Sequence, residues 1–355
     1  MDLNNLIFFT FLIFFGLLSN KYFPKFLNKY SSKLLIDDEI KKPQAFHEKP
    51  ISVAGGVVMF SSFLIICFYL FLKTKVIYFE YLSFCLLFFS LGFSDDLKLN
   101  LKPKLRLILM ISFVIILVIS NQFYIQNVGI QFLNRLLQID IFSLFFVCLC
   151  FLFIINGSNL IDGYNGLLGI HILIILTNLL LINYFTNNTE LAFLIFSVII
   201  ILLVFLKYNF PKANIFLGDS GSYFLGAFTA LSVIKTSIAN PSISPFYFCI
   251  LLFYLFFEVF FSFIRKIVSE KKSPLLPDSK HLHMLLYKIL FKKNKNKNKS
   301  NYLVSVIINL IYLILIIPSI FMMNSGLFCK YYSIIFFVIY IFLYKFANKK
   351  LNQIK

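Results

Sequence analysis

The chain has 355 residues, 60% hydrophobic and 19% aromatic, with only 14% charged against the roughly 25% of ordinary soluble domains. That balance excludes a soluble globular protein and points to a polytopic integral membrane protein of the all-α class. The net charge of +18 would suggest a nucleic-acid partner in a soluble chain, but its placement here reports membrane topology, so no nucleic-acid partner is expected.

Eleven apolar runs of near bilayer-spanning length follow one another: residues 4–20, 51–72, 76–93, 105–120, 141–156, 166–183, 190–206, 219–235, 244–264, 302–323 and 326–346. The tight connections at 73–75 and 324–325 leave ten as the alternative count. No small-residue cleavage site follows the first run, Leu6 to Leu18, so it reads as a retained helix. With the amino terminus outside, 28 of the 33 basic residues fall in inside segments, and only Lys73, Lys75, Arg135, Lys235 and Lys330 remain outside. The positive-inside rule then puts the amino terminus on the periplasmic side and the carboxyl terminus in the cytoplasm. Residues 1–355 form a single membrane domain, with cytoplasmic loops expected at 21–50, 94–104, 157–165, 207–218 and 265–301. The six cysteines lie in or beside apolar runs without a pairing or metal-binding pattern and read as packing residues. The alternating Lys and Asn of Lys292–Lys299 read as a solvated, mobile tract drawn to anionic lipid headgroups.

The same parity gathers five polar clusters on the cytoplasmic side. Lys42-Pro43-Gln44-Ala45-Phe46-His47-Glu48-Lys49 leads through Pro50 to Gly55-Gly56, a basic loop that could present cations to an anionic ligand or merely satisfy the positive-inside rule. Gly92-Phe93-Ser94-Asp95-Asp96 sets two adjacent carboxylates at a membrane boundary, which a divalent cation or a proton-accepting role would justify, with Lys102, Lys104 and Arg106 just downstream. Asn156 to Gly166 is rich in amides and glycine and has no lysine or arginine, which suits a neutral base or sugar, although a turn between helices uses the same residue types. Asn214-Ile215-Phe216-Leu217-Gly218-Asp219-Ser220-Gly221-Ser222 places one carboxylate between glycines at the mouth of an apolar segment; Asp219 is either a cation ligand or the cap of a helix. In Ser273 to His283, His281 and His283 at i, i+2 cannot share one helix face but can converge from a loop, where phosphate binding or help to a leaving group suits them better than zinc. Glu258, set among Phe256, Phe257, Phe260 and Phe261, is the chief ionisable group near a midplane; it keeps a transporter in view, but lipid-headgroup contact or a bonded helix partner would equally account for it.

Taken together, the five ordered motifs from about residue 42 to 283 resemble the polyprenyl-phosphate N-acetylhexosamine-1-phosphate transferases, glycosyltransferase family 4. Their form is most similar to the undecaprenyl-phosphate N-acetylglucosamine-1-phosphate branch, because His281-Leu282-His283-Met284 lacks the three consecutive histidines of the phospho-N-acetylmuramoyl-pentapeptide branch. The resemblance implies that Asp219 is the chief ligand of Mg2+, or alternatively Mn2+, with Asp96 beside it, and that Asp95 or Asp96 is the base for the lipid phosphate. It also implies a nucleotide-sugar site from Lys49, Asn159, Asp162, Gly163, Asn165, Asn209 and a uracil-stacking Phe216, phosphate binding by Lys104, and an essential loop holding His281 and His283. Met284 stands where a third histidine is common. The implied partners are a UDP-N-acetylhexosamine, undecaprenyl phosphate and the lipid bilayer, with a homodimer as one option. The implied location is the inner (plasma) membrane, with the active site facing the cytoplasm.

Overall fold

The computed structural model describes residues 3–30, 35–37, 50–99, 101–271, 273 and 278–353. All eleven apolar runs are helical, in α1 (Leu3–Tyr30), α2 (Gly55–Thr74), α3 (Phe79–Asp96), α4 (Pro103–Asn121), α6 (Asp140–Ile161), α7 (Leu167–Phe185), α8 (Thr189–Asn209), α9 (Gly218–Ala239), the pair α10 (Pro245–Leu251) and α11 (Phe253–Ile264), α13 (Lys297–Phe321) and α14 (Gly326–Gln353). A short α5 (Gln131–Leu137) precedes α6, and α12 (Leu282–Asn294) precedes α13.

Among the described residues nine of these helices are long and apolar enough to cross a bilayer, or ten if the bent α10–α11 pair is one span. Two physical details separate this from the eleven uniform spans expected. Helix α3 carries Glu80, Asp95 and Asp96 within its 18 residues. The run at 244–264 is not one rod: α10 and α11 meet at a 75° bend. An uninterrupted apolar composition hides such a break, because neither side of it needs a polar residue.

Helix α9 is the central post, packed against α2, α3, α6 and α7. Its Gly221, Ser222, Gly226, Ala227 and Ala230 are all buried, and small residues let neighbouring backbones approach closely in a membrane, where apolar burial alone gives little drive for association. The apolar core surrounds this post, with Phe63, Phe84, Phe88, Phe151, Phe224 and Phe228 fully buried.

Several helices continue past their apolar runs into the polar clusters. Asp95 and Asp96 end α3, Asn159 lies in the last turn of α6, and Asn209 closes α8. The loops are therefore shorter than the expected 94–104, 157–165 and 207–218, and α1 likewise runs on to Tyr30. The Lys292–Lys299 tract takes regular structure: it ends α12, turns through a left-handed Lys295 and starts α13, where the Asn296 side chain accepts from the Lys299 N–H. Strand β1 (Ile36–Asp37) pairs antiparallel with β2 (Ile51–Ser52), and Ser52 bridges to Ile215.

Candidate active site

The local chain around α9 explains how the site is built. Gly218 has φ +77°, a left-handed backbone that favours glycine, and a Cβ there would lie 2.7 Å from an Asp96 carboxylate oxygen. The turn brings the first free N–H groups of α9 onto Asp96: Asp219 N–H donates to Oδ1 at 2.8 Å and Ser220 N–H to Oδ2 at 3.0 Å. A helix leaves its first N–H groups without internal partners, and a carboxylate there is favoured by the helix dipole. Asp96 supplies the cap, so the reading of Asp219 as the cap of its own helix is corrected; Asp219 sits inside the first turn with its side chain turned to other partners.

Those partners come from α6 and α4. Asn159 Nδ2 donates to Asp219 Oδ1 at 2.8 Å and to Ser222 Oγ at 3.1 Å. Arg106 reaches Asp95 Oδ2 at 2.5 Å and stands 3.9 Å from Asp219 Oδ2. The Asp219 side chain is 41% exposed against 14% for Asp95, so Asp219 presents its charge outward while Asp95 is held by the guanidinium. The sequence sets Arg106 downstream of the two carboxylates but assigns it no task, because one more cation in a basic loop reads as topology. Its spacing is the available signal: eleven residues after Asp95, in the first turn of a helix that Lys102 caps and Pro103 begins.

The 157–166 segment lies next to this cluster. Burial, and then the charges of Asp219 and Asp96, push the Asp162 carboxyl well above the usual carboxylate range. Gly163 is exposed, with nothing within 4 Å of where a Cβ would stand. Asn165 and Asn209, in contrast, are buried and spend their amides on the chain itself. The Asn165 Nδ2 donates to the Pro211 carbonyl at 3.0 Å, and its N–H donates to Asn301 Oδ1 at 2.8 Å. Asn209 accepts the Gly166 N–H at 2.7 Å and donates to the Ile215 carbonyl at 2.9 Å, so it braces two loops. Phe216 is half-buried; its N–H donates to the Ser52 carbonyl at 2.8 Å, and its own carbonyl accepts the Gly55 N–H at 3.0 Å. These bonds tie the start of α2 to the turn before α9. Lys104 stands exposed in the first turn of α4. Lys49, with the rest of Lys42–Lys49, lies outside the described residues.

His281 and His283 do converge: their rings are parallel within 4°, with centroids 5.4 Å apart. What they converge on is Glu258, which accepts from His281 Nδ1 at 3.0 Å and lies 3.8 Å from His283 Nδ1. The bonded helix partner left open for Glu258 is thus this histidine loop. Burial pulls the His283 imidazole down to about 4, against the raising influence of Glu258. Tyr164 meets His283 edge-on at 5.5 Å and links this cluster to the Asp162 loop.

Fold and site together define a multi-pass helical membrane protein with a carboxylate-rich polar centre built on helix ends. A family model described as glycosyl transferase family 4 matches residues 78–237, which run from just before α3 to near the end of α9. The chain is 30% identical over 239 residues to an undecaprenyl-phosphate alpha-N-acetylglucosaminyl 1-phosphate transferase of Thermotoga maritima, covering 67% of this chain and 68% of that one. It is also 30% identical over 223 residues to a phospho-N-acetylmuramoyl-pentapeptide-transferase of Sulfurimonas denitrificans, covering 55% and 63%. A probable undecaprenyl-phosphate N-acetylglucosaminyl 1-phosphate transferase of Bacillus subtilis matches at 30% over 197 residues, covering 54% and 53%. The matches therefore span from about half to two thirds of these relatives' lengths. The chain belongs to glycosyl transferase family 4.

Proposed function

We propose that the protein transfers an N-acetylhexosamine 1-phosphate from a UDP-sugar to undecaprenyl phosphate, releasing UMP, at the cytoplasmic face of the plasma membrane. The observation that carries this reading is Asp219, a partly open carboxylate held by Asn159 at the first turn of α9, with Asp95, Asp96 and Arg106 around it. One substrate is water-soluble and the other stays in the bilayer, so a site on the ends of spanning helices serves both.

Among the described residues no three His, Cys, Asp or Glu side chains gather closely enough to hold a metal by themselves. The carboxylates of Asp219 and Asp96 are the oxygen donors that suit Mg2+ or Mn2+, which is commonly bound by one or two carboxylates with water and substrate phosphate completing the shell. Asp219 would hold it through its carboxylate, 41% exposed; the Asp96 oxygens already accept two N–H groups and keep lone pairs for a supporting role. When bound, such an ion neutralises charge on the diphosphate.

The chain's own residues then have separable tasks. In the reaction, an oxygen of the lipid phosphate forms a bond to the β-phosphorus of the donor, and the bond from that phosphorus to the bridging oxygen breaks, so UMP leaves with the electron pair. Phosphoryl transfer depends mainly on in-line positioning and stabilisation of charge on the nonbridging oxygens. Arg106 holds Asp95 in place and sets a positive charge 3.9 Å from Asp219 Oδ2. Asp95 or Asp96 is the proton acceptor for the lipid phosphate, and Lys49 and Lys104 add charge for the diphosphate. The 159–166 segment, braced by Asn165 and Asn209, holds the uridine face with Phe216 as its stacking surface.

Two consequences follow from these tasks. Arg106→Gln removes a charge-assisted bond worth about 1.5–3 kcal/mol and should lower kcat/KM by about 10- to 100-fold without unfolding the protein, measured by transfer assay and thermal melting. Phe216→Ala leaves the backbone bonds to Ser52 and Gly55 intact and should raise the KM for the UDP-sugar about ten-fold, in line with the stacking energy of one base on one ring. An unchanged KM would argue against stacking there.

A second reading, transfer of phospho-N-acetylmuramoyl-pentapeptide, is favoured by the relatives of that name that match the chain. A donor panel containing UDP-N-acetylglucosamine, UDP-N-acetylgalactosamine and UDP-N-acetylmuramoyl-pentapeptide separates the two by which sugar phosphate reaches the lipid. A liposome flux assay tests the remaining alternative of a transporter.

A further inference from the structure

Three polar side chains interrupt the aromatic surface of α11 and the π-helical turn that continues it: Glu258, Ser262 and Arg265, at i, i+4 and i+7. That spacing puts them in one row along the helix. Each is fastened to the segment that carries the histidines. Glu258, only 1% exposed, accepts from His281 Nδ1 at 3.0 Å and from the Leu282 N–H at 3.2 Å. Ser262 Oγ donates to Asp278 Oδ2 at 3.0 Å, and the Arg265 guanidinium pairs with the same carboxylate. His281 itself precedes α12 without a side-chain cap bond of its own, so Glu258 caps that helix from across the bundle.

An ionised carboxylate only accepts, so its bond to His281 makes Nδ1 the protonated nitrogen and fixes the ring's tautomer and direction. His283 is set by the same group of residues: its Nδ1 lies 3.3 Å from the Tyr254 hydroxyl of α11, and its ring lies against Tyr164 of the Asp162 loop. Its Nε2 is buried and lacks a protein partner among the described residues, which is the state of a group that a bound ligand completes.

We infer that Glu258 is a positioning residue for the transfer reaction: through Nδ1 of His281 and the first N–H of α12, it holds the histidine loop in one orientation against the Asp162 loop. This rests on the reading of the protein as a sugar-phosphate transferase. The donor's sugar-phosphate portion is then met by two aligned imidazoles and not by a loop free to turn. Ser262 and Arg265 secure the other end of the same segment through Asp278.

The test uses the full-length protein in detergent or nanodiscs. Glu258→Gln keeps the shape and one acceptor for the Leu282 N–H but removes the charge that orders His281. It should lower kcat by roughly 10- to 100-fold, the size of loss seen when a carboxylate that orients a metal-bound histidine is removed, with the KM for the UDP-sugar changed much less. Rates are divided by the fraction of protein that binds UDP, so partial unfolding does not imitate the effect. Glu258→Asp, which keeps the charge with a shorter reach, should recover part of the loss. A second readout does not depend on turnover. With 15N-histidine labelling of the four histidines, the His281 resonance, assigned through His281→Asn, should report a protonated Nδ1 in the wild type and lose that tautomer in Glu258→Gln. An unchanged kcat together with an unchanged His281 resonance overturns the inference. If Glu258→Gln does not fold, the Asp variant decides by the same two readouts. A wild type that transfers nothing from any donor, yet shows the tautomer change, would overturn the transferase reading and the catalytic purpose while leaving the Glu258–His281 bond established.

Discussion

Asp219→Asn should reduce sugar-phosphate transfer by on the order of 10²- to 10³-fold while leaving the thermal unfolding midpoint unchanged, an effect of the size seen when one charge-stabilising group is removed from an active site. The substitution is nearly isosteric, and Asn159 can still donate to the remaining amide oxygen. The start of α9 does not depend on the Asp219 side chain, because Asp96 receives the Asp219 and Ser220 N–H groups. What disappears is the outward-facing negative charge, the feature on which the proposed divalent-cation site depends. Steady-state transfer at saturating donor and lipid, with melting curves on the same preparation, measures both quantities. Transfer near the wild-type rate would remove Asp219 from the mechanism.

Gly92→Ala should lower the unfolding midpoint and suppress transfer together. A Cβ at residue 92 would lie 2.3 Å from the Asp219 carbonyl oxygen and 2.5 Å from the Ser220 nitrogen. These are backbone atoms at the start of α9, so no side-chain rotation relieves the clash, and α3 must move away from α9. Overpacking of this kind costs about 1–3 kcal/mol, and here the displacement falls on the Asp96–Asp219 junction itself. Gly326→Ala is the matched control: nothing lies within 4 Å of the added methyl, so stability and transfer should both stay at wild-type levels. A Gly92→Ala protein that melts and turns over normally would show that α3 and α9 have more room than their contact implies.

Much of the architecture is legible in the sequence because a bilayer demands long apolar helices, and the eleven runs mark where they lie. The bend between α10 and α11 is not legible, since Leu252 and its aromatic neighbours remain apolar on both sides of it. Within the site, the carboxylates stand out because a charge at an apolar boundary is costly unless it has a partner. Their partners do not stand out. Arg106 is hidden among cations that topology already explains, and Glu258 looks like an isolated intramembrane charge until the fold brings His281 and His283 onto it. The amides show the opposite limit: Asn165 and Asn209 have the residue type expected of nucleotide contacts, yet their side chains hold the loops together. Composition does not distinguish an amide that faces a ligand from one that braces the loop beside it. The Lys292–Lys299 tract shows that a repetitive polar stretch can take regular structure, here the end of α12 and the start of α13, which its composition does not announce.

The most direct test of the central claim is transfer of radiolabelled sugar phosphate from a panel of UDP-N-acetylhexosamines to undecaprenyl phosphate by the purified protein, with Mg2+ and with a chelator. The account predicts lipid labelling from at least one donor, UMP released in equal amount, and loss of both when the metal is removed. A folded protein that labels no lipid from any donor, or that transfers equally well in the chelator, would contradict it.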